Sequence, residues 1–287
     1  MYTLEAQLLW FEAVEMGPSL SCFHGAMSPR KTPAEYQGDF ERVMGEIKAA
    51  PHGCSTAWSH APQPFVVFYG HKPGCPHREC SNFFTEMRPF EFHIPEFART
   101  PQIPSTVLCE SSEKAIMLTK AALMEDVTTF KRIAAEAEPM MCKQFGREVQ
   151  WGDAQQRKWD MHVHAVAFEA VLAKFASDAG LADELLATND RVIVEATEKD
   201  RIWAVGLKVD DEAVHDPQQW KGQNILGIAL MLVREELRKR PELIEAARGT
   251  GGSRARWLSW LPCAAVALLA CLVAWLGHRT GFEPRWR

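Results

Sequence analysis

A short apolar run followed by a polar turn constrains the fold of this chain most strongly. Residues 192–194 are three consecutive β-branched residues, which favour a buried β-strand. Residues 195–200 are mostly polar, and Trp203 and Gly206 follow shortly after them. A carboxylate and an indole just beyond a buried strand suit a site that stacks a flat ring and activates water. The alternative is a strand, a charged turn and a packed tryptophan.

The composition excludes some classes of partner and cross-link. The chain has 287 residues, of which 47% are hydrophobic, and a formal net charge of -5. Because this balance is mildly acidic, we do not expect nucleic acid among its partners. The 8 cysteines show no regular framework, so we expect reduced thiols in a protein that faces the cytosol.

The C-terminal part of the sequence differs in kind from the rest. Residues 257–277 carry no charge and are almost uniformly apolar. As a helix they would span about 31 Å, which matches the core of a bilayer. We therefore expect a single-pass transmembrane helix that anchors the protein in a membrane. A flexible basic linker (246–256) would precede it, a short basic tail (278–287) would follow, and the main domain would face the cytosol.

The N-terminal 64 residues contain no recognisable chemistry and are interpreted as a helical extension and linker. The pattern predicts a helix over residues 33–50, because Phe40, Val43 and Ile47 recur at helical spacing. Residues 51–64 are rich in proline and read as a linker.

The main domain is predicted to run from residue 65 to residue 245. It would open with a short buried strand over residues 65–69. Apolar spacing and capping residues predict the helices that follow, over residues 111–124, 126–138, 153–175, 181–186 and 225–240.

A cysteine and histidine group near residue 75 raises the question of zinc. Cys75, His77 and Cys80 lie close together, with His71 nearby. Their spacing is loose, and no second pair of ligands follows at the distance typical of zinc fingers. We therefore expect no metal and no cofactor.

Several polar residues are candidate ligands, each with a structural alternative. Asn82, beside two phenylalanines, could bond the edge of a base or sugar, or cap a turn. Glu113, in the first turn of a helix, could line a pocket or stabilise the helix dipole. Lys143 and Arg147 flank a glycine and could bind phosphate on a flexible backbone, or form a solvated surface pair.

Two further features were considered for binding. Trp159 lies on the apolar stripe of the longest predicted helix, so it is either a core residue or a stacking platform at the edge of the core. Residues 222–227 are rich in glycine and amide side chains at a helix start. Their free backbone N–H groups could meet an anion, with Asn224 as a substrate contact, although the pattern is weak alone.

Taken in order, the motifs resemble those of the NADAR family, also called the YbiA-like family. The resemblance covers about residues 65–237 and depends on the order of the segments more than on any single one. The segments are FYG (68–70), SNFF (81–84), SSEK (111–114), PMMCKQFGR (139–147), the helix 159–175, IVEATEKDRIWAVG (193–206) and GQNILGIALMLVR (222–234).

The resemblance implies a mainly α (α+β) fold, with a YbiA-like helical domain and a few short strands. Together with the C-terminal transmembrane helix, this is the predicted fold class. Members of the family hydrolyse N-glycosidic bonds. Their key positions correspond here to Glu113 and Asp200 as catalytic carboxylates, and to Trp159 and Trp203 as stacking residues. The sequence departs from the family pattern at Ala204, where a glycine is usual, and at Lys114, Ala115 and Met117.

These expectations define one predicted function and two alternatives. The enzyme would hydrolyse phosphoribosyl-amino-pyrimidine intermediates of riboflavin biosynthesis to ribose 5-phosphate and a pyrimidine. Lys143 and Arg147 would bind the phosphate, whereas Glu195 would orient the strand end or be purely structural. The partner would be a small phosphorylated N-glycoside. The alternatives are a hydrolase that removes ADP-ribose from guanine, and a non-catalytic, membrane-tethered nucleotide-binding module.

Overall fold

The structure is a computed structural model that describes residues 31–49 and 65–249 of the chain. Its helices are α1 (Pro33–Ala49), α2 (Ser112–Leu123), α3 (Val127–Ala134), α4 (Pro139–Glu148), α5 (Asp153–Ala176), α6 (Ala179–Ala187) and α7 (Ile225–Lys239). Its strands are β1 (Phe65–Phe68), β2 (Phe90–His93), β3 (Thr106–Cys109) and β4 (Val192–Glu195). Short 3-10 helices cover Arg78–Cys80, Glu96–Ala98, Glu212–His215 and Pro217–Gln219. Residues 241–249 are also helical.

A buried parallel pair of strands lies in the core. β1 pairs with β4, with Phe65 opposite Val192 and Phe68 opposite Glu195. Parallel pairs of this kind are apolar on both faces because helices cover them. Here α7 packs against β4. The pair therefore delivers the carboxyl end of β4, and the turn beyond it, to a fixed place at the edge of the core.

The second sheet is antiparallel and leads directly into α2. β2 pairs with β3, with Phe90 opposite Cys109. Phe90 and Phe92 are buried whereas Glu91 and His93 are exposed, which is the alternation expected of a sheet with one solvated face. β3 ends at Cys109, so the sheet fixes where α2 can begin.

Helix α5 is the longest of the described helices and packs against several others in the core. It packs against α1, α2 and α7. Its apolar face includes Val163, Val166 and Ala170, which are at most 5% exposed. The Tyr36 hydroxyl of α1 donates a hydrogen bond to Glu169 of α5 at 2.9 Å. The helix predicted in the N-terminal extension therefore packs into the same core as the main domain.

Most of the predicted helices are confirmed. Those predicted over residues 33–50, 111–124, 153–175 and 225–240 agree with α1, α2, α5 and α7 to within one residue at each end. The segment around residues 143–147 is different from the prediction, because it is the helix α4 and not a flexible loop. Gly146 lets α4 approach α2 closely, since a Cβ there would overlap the side chain of Met117.

The predicted fold class is wrong. The domain is a mixed α/β fold and not a mainly α one, because the buried β1–β4 pair and the β2–β3 sheet set the positions of the helices. No helix within residues 31–49 and 65–249 is long and apolar enough to cross a membrane. The predicted transmembrane helix, residues 257–277, lies outside the described residues.

Gly227 tests the contact between α7 and β4. A Cβ at this position would overlap the carbonyl oxygen of Ile193 and crowd the amide of Asn224. Because backbone cannot yield to it, we expect Gly227→Ala to lower the free energy of unfolding by about 2 kcal/mol or more, measured by urea denaturation.

Gly38→Ala is the matched control for this prediction. Gly38 lies in α1 with nothing near its added Cβ. Since alanine has the higher helix propensity, we expect a gain of about 0.5–1 kcal/mol at Gly38. Equal effects of the two substitutions would contradict the packing argument.

Candidate functional site

The start of α2 places Glu113 inside the protein. The Ser111 hydroxyl caps the helix by accepting a hydrogen bond from the Lys114 backbone N–H at 3.2 Å. Glu113 lies in the first turn and is only 4% exposed. The positive end of the helix dipole favours a carboxylate there. The cap therefore does not need the Glu113 side chain, and this leaves the carboxyl group for another role.

Asn82 joins the loop before it to the start of α2. Its side-chain oxygen accepts a hydrogen bond from the Ser112 hydroxyl at 2.8 Å, and its carbonyl accepts one from the Glu113 N–H at 3.0 Å. The Asn82 Nδ2 group donates no hydrogen bond within the described part of the chain. Asn82 therefore fixes the loop beside Glu113 and keeps its Nδ2 group for a ligand.

Lys174 is a buried cation that binds the backbone of the loop before Asn82. Its ammonium group donates to the carbonyl oxygens of Glu79 and Ser81 at 2.6 and 2.8 Å. The side chain is fully buried, and this burial lowers the pKa of Lys174 to about 8. Sequence reasoning did not assign this role, because only the tertiary structure brings α5 beneath residues 79–81.

At the end of β4, the side-chain amide of Asn224 forms hydrogen bonds with the strand backbone, as a neighbouring strand would. Its Nδ2 donates to the Ile193 carbonyl at 2.9 Å, and its Oδ1 accepts from the Glu195 N–H at 3.1 Å. Asn224 is fully buried and has a left-handed backbone, with φ of 52°. The Asn224 amide was predicted to contact substrate. In the structure it instead fixes the backbone of β4 as far as Glu195.

The N-terminus of α7 binds the turn after β4 instead of an anion. The N–H groups of Asn224, Ile225 and Leu226 donate to carbonyl oxygens of the 202–204 segment at 3.1 to 3.2 Å. Gln223 makes the same kind of bond to Arg201 at 3.0 Å. The expectation of free N–H groups for an anion is therefore wrong, because the protein's own turn occupies them.

This turn presents Asp200 and Trp203. The Asp200 Oδ1 atom accepts hydrogen bonds from the N–H groups of Ile202 at 3.0 Å and Trp203 at 2.8 Å. The Oδ2 atom accepts none within residues 31–49 and 65–249. Trp203 is partly buried and packs against the core. One carboxylate oxygen thus fixes the turn and the other stays available to react.

Cations from α2 and α4 face these carboxyl groups. The Lys143 ammonium lies 3.9 Å from Glu113 Oε1 and 5.0 Å from the centre of the Phe83 ring. Lys120 donates to the Gly146 carbonyl at 2.8 Å. Arg147 follows Lys143 by one helical turn and is exposed. Since 3.9 Å is too long for a hydrogen bond, Lys143 balances the charge of Glu113 without occupying its oxygen.

Two tryptophans border the cations. Trp159 is 7% exposed, and its ring centre lies 5.9 Å from the Lys120 ammonium. The ring of Trp151 is closer to the same ammonium, at 4.2 Å, and is 41% exposed. The structure thus places Trp159 at the edge of the core beside a charged group. Trp151 lies further out and was not singled out from the sequence.

Two carboxyl groups of the site have pKa values that are raised well above the usual value. Burial raises the pKa of Glu113 to about 7, while Lys143 lowers it and Asp200 raises it. Burial raises the pKa of Glu195 to about 8, and the charge of Asp200 adds to that effect. The buried atoms Glu113 Oε1 and Glu195 Oε2 have no hydrogen-bond partner in the described structure. Perturbed carboxyl groups of this kind cluster at functional sites.

The residues considered for zinc do not form such a centre. Across the two described segments, no group of three or more His, Cys, Asp or Glu side chains could hold a metal ion. Cys80 is buried, and burial raises the pKa of its thiol. The His77 ring lies 3.5 Å from Glu79. The absence of a cofactor remains a prediction.

Comparison with known proteins gives one family and several relatives. The family model described as the NADAR domain matches residues 67–238, more than half of the chain. The protein irg-1 of Caenorhabditis elegans is 32% identical over 181 residues, which cover 62% of this chain and 82% of that protein.

Two other relatives have names that describe a function. An N-glycosidase of Acanthamoeba polyphaga mimivirus is 36% identical over 127 residues, covering 44% of this chain and 73% of that protein. A riboflavin biosynthesis protein of Vibrio vulnificus is 31% identical over 122 residues, covering 42% of this chain and 29% of that protein.

The raised pKa of Glu113 predicts a specific dependence of stability on pH. Between about 4.5 and 7 the folded protein holds a proton that the unfolded chain releases, so this contribution to stability is lost as the pH rises. Glu113→Gln removes this pH dependence, because glutamine does not titrate. We expect the variant to gain about 2–3 kcal/mol of unfolding free energy relative to wild type across this window, by urea denaturation.

Glu91→Gln is the control, because Glu91 is exposed on β2. Its difference from wild type should stay constant with pH. If the Glu113→Gln difference is also constant, Glu113 is not the buried acid described here.

Proposed function

The chain belongs to the NADAR family, and from this premise we propose that it hydrolyses phosphoribosyl-amino-pyrimidine intermediates of riboflavin biosynthesis. Its class is that of hydrolases acting on N-glycosyl compounds, in keeping with the viral relative named an N-glycosidase. The relative named for riboflavin biosynthesis supports the choice of substrate. The products would be ribose 5-phosphate and a pyrimidine.

The observation that carries the proposal is a group of carboxyl groups beside cations and tryptophans, in which Glu113 is buried, Asp200 is partly exposed, and each has one oxygen that accepts no hydrogen bond from the described residues. Breaking an N-glycosidic bond develops positive charge on the sugar, which a nearby carboxylate stabilises. A second carboxylate can take a proton from the attacking water. Glu113 Oε1 is buried without a hydrogen-bond partner, and the side-chain hydrogen bonds of Asp200 all go to Oδ1, so each residue has an oxygen available for one of these tasks.

The tryptophans suit a flat base. Stacking on an indole contributes about 1–3 kcal/mol per base. Trp203 lies three residues after Asp200 on the turn held by α7, so a base stacked on it would bring its glycosidic bond near that carboxylate. Trp159 is 7% exposed, so we assign it to the end of the base nearest the core.

The cations suit the 5-phosphate. Lys143 and Arg147 lie one turn apart on α4, and the charge of Arg147 acts on both Glu113 and Lys120. A guanidinium can bind phosphate through two parallel hydrogen bonds. Because Arg147 is exposed and Lys143 is partly buried beside Glu113, Arg147 would meet the phosphate and Lys143 would lie between phosphate and sugar.

The direct test is a substrate panel with the full-length protein and a mass-spectrometric readout. We expect ribose 5-phosphate from the phosphoribosyl-amino-pyrimidine. The panel includes ADP-ribosylated guanosine, since release of ADP-ribose alone would assign the other family activity. Tight binding of the first substrate without any product would instead contradict an enzymatic role.

Substitution of the two carboxylates tests the chemistry. We expect Glu113→Gln and Asp200→Asn each to lower kcat by 100-fold or more, since acid–base catalysis contributes about 10²–10⁴-fold. Circular dichroism should show that both variants remain folded. The controls are Glu91→Gln and Asp210→Asn, which change exposed carboxylates. Wild-type rates in both site variants would contradict the assignment.

Substitution of Arg147 tests the phosphate contact. We expect Arg147→Gln to raise KM for the phosphorylated substrate about tenfold, because one charge-assisted contact contributes roughly 1.5–3 kcal/mol. KM for the dephosphorylated nucleoside should not change. Arg157→Gln, which alters an exposed arginine of α5, should leave both values unchanged. An equal effect of Arg147→Gln on both substrates would refute the phosphate role.

A further inference from the structure

Glu195 has a backbone that is fixed on both sides. Its N–H donates to Asn224 Oδ1 at 3.1 Å, and its carbonyl accepts from the Val205 N–H at 3.0 Å. It also lies opposite Phe68 at the end of the β1–β4 pair. The Glu195 side chain therefore leaves the strand from a position with little freedom to move.

One carboxyl oxygen of Glu195 is buried but forms no hydrogen bond with the described residues. The residue as a whole is partly exposed, but its Oε2 atom is buried and has no hydrogen-bond partner in the described part of the chain. Leaving a buried carboxyl oxygen without a hydrogen-bond partner has an energetic cost. Nothing in the strand or turn requires that cost, because Asn224 and Val205 already satisfy the backbone. A group kept in this state is suited to a partner that arrives with the substrate.

We propose that Glu195 is the general acid of the site and gives its proton to the nitrogen of the leaving pyrimidine. This inference rests on the proposed N-glycoside hydrolysis and adds a third reacting carboxyl to it. Glu113 and Asp200 then keep the two tasks on the sugar side, which are stabilising the developing charge and activating water. A role at the strand end that is only structural would not need the open oxygen.

The charges around Glu195 keep it protonated at neutral pH. Burial is the main cause of its raised pKa, and the negative charges of Asp200 on the turn and Glu113 on α2 act in the same direction. Lys143 on α4 opposes them. From α7 and β1 the neighbours are Asn224 and Phe68, which do not titrate.

The step balances without a further reactant. The bond between C1′ of the sugar and the amine nitrogen breaks, and its electron pair goes to the nitrogen, which takes the proton of Glu195. Water forms the new bond to C1′, and its proton goes to Glu113 or Asp200. Exchange with solvent then returns one proton to Glu195 and removes one from the other carboxyl.

The test compares two leaving groups on the same ribose 5-phosphate. The amino-pyrimidine needs a proton to leave, whereas the pyridine of nicotinamide mononucleotide leaves as a neutral molecule without one. We expect Glu195→Gln to lower kcat/KM at least 100-fold for the first and less than fivefold for the second, in proportion to the need for an acid. Glu198→Gln, an exposed neighbour in the same turn, is the control.

Infrared spectroscopy of the free protein gives a second readout that does not depend on activity. We expect a protonated-carboxyl band at pH 7 that is absent from Glu195→Gln and fades as the pH rises through about 8. Absence of a band assigned to Glu195 overturns the inference whatever the activity. Equal losses on both leaving groups, or no loss on either, overturn it while the proposed function stands. Wild-type protein that releases no ribose 5-phosphate contradicts the proposed function instead.

Discussion

The geometry of the site depends on the contact between the N-terminus of α7 and the turn after β4. A helix start has backbone N–H groups without partners, and a turn has carbonyl groups without partners. Here each satisfies the other, and the Asn224 amide adds bonds to both sides of the β4 end. Gly227 permits the close approach because it has no Cβ. The turn is therefore fixed by backbone hydrogen bonds, although it is neither a helix nor a strand.

Rigidity of this kind matters because the site concentrates like charges. Carboxyl groups that lie close together in a buried place repel one another when ionised, so they would move apart on a flexible loop. The site holds them on separate supports, namely the first turn of α2, the end of β4 and the clamped turn. Cations from α2 and α4 limit the repulsion without forming hydrogen bonds to the carboxyl oxygens. Lys143 thus lies within ion-pair distance of Glu113 but leaves the Glu113 oxygen without a hydrogen bond.

The sequence predicted the features that depend on local periodicity. The bounds of α1, α2, α5 and α7 follow from apolar spacing and capping residues, and the structure agrees with them. Strands β2 and β3 were missed because each is only four residues long and lies among prolines and charges. Helix α4 was missed because Gly146 reads as a breaker, whereas its real role is to make room for Met117.

The parts of the site that the sequence could not predict depend on contacts between distant segments. Residue types at Glu113 and Asp200 pointed to chemistry through the family resemblance. The unpartnered oxygen of Glu195 could not be foreseen, since the charges around it come from α2, α4 and the turn after β4, which lie far apart in the sequence. The glycine- and amide-rich start of α7 was misread for the same reason, because its N–H groups meet a turn about twenty residues earlier in the chain.

Helix α1 lies before the region that matches the family, yet its Phe40 and Ile47 are at most 2% exposed. The region that matches the family and the packed core therefore have different boundaries. The family region contains the residues proposed to react, but α1, which lies outside it, also packs against α5. Relatives that lack such a segment must cover that side of the helix in another way. Evolution can alter this covering element, and with it the stiffness beneath the site, without changing a reacting residue.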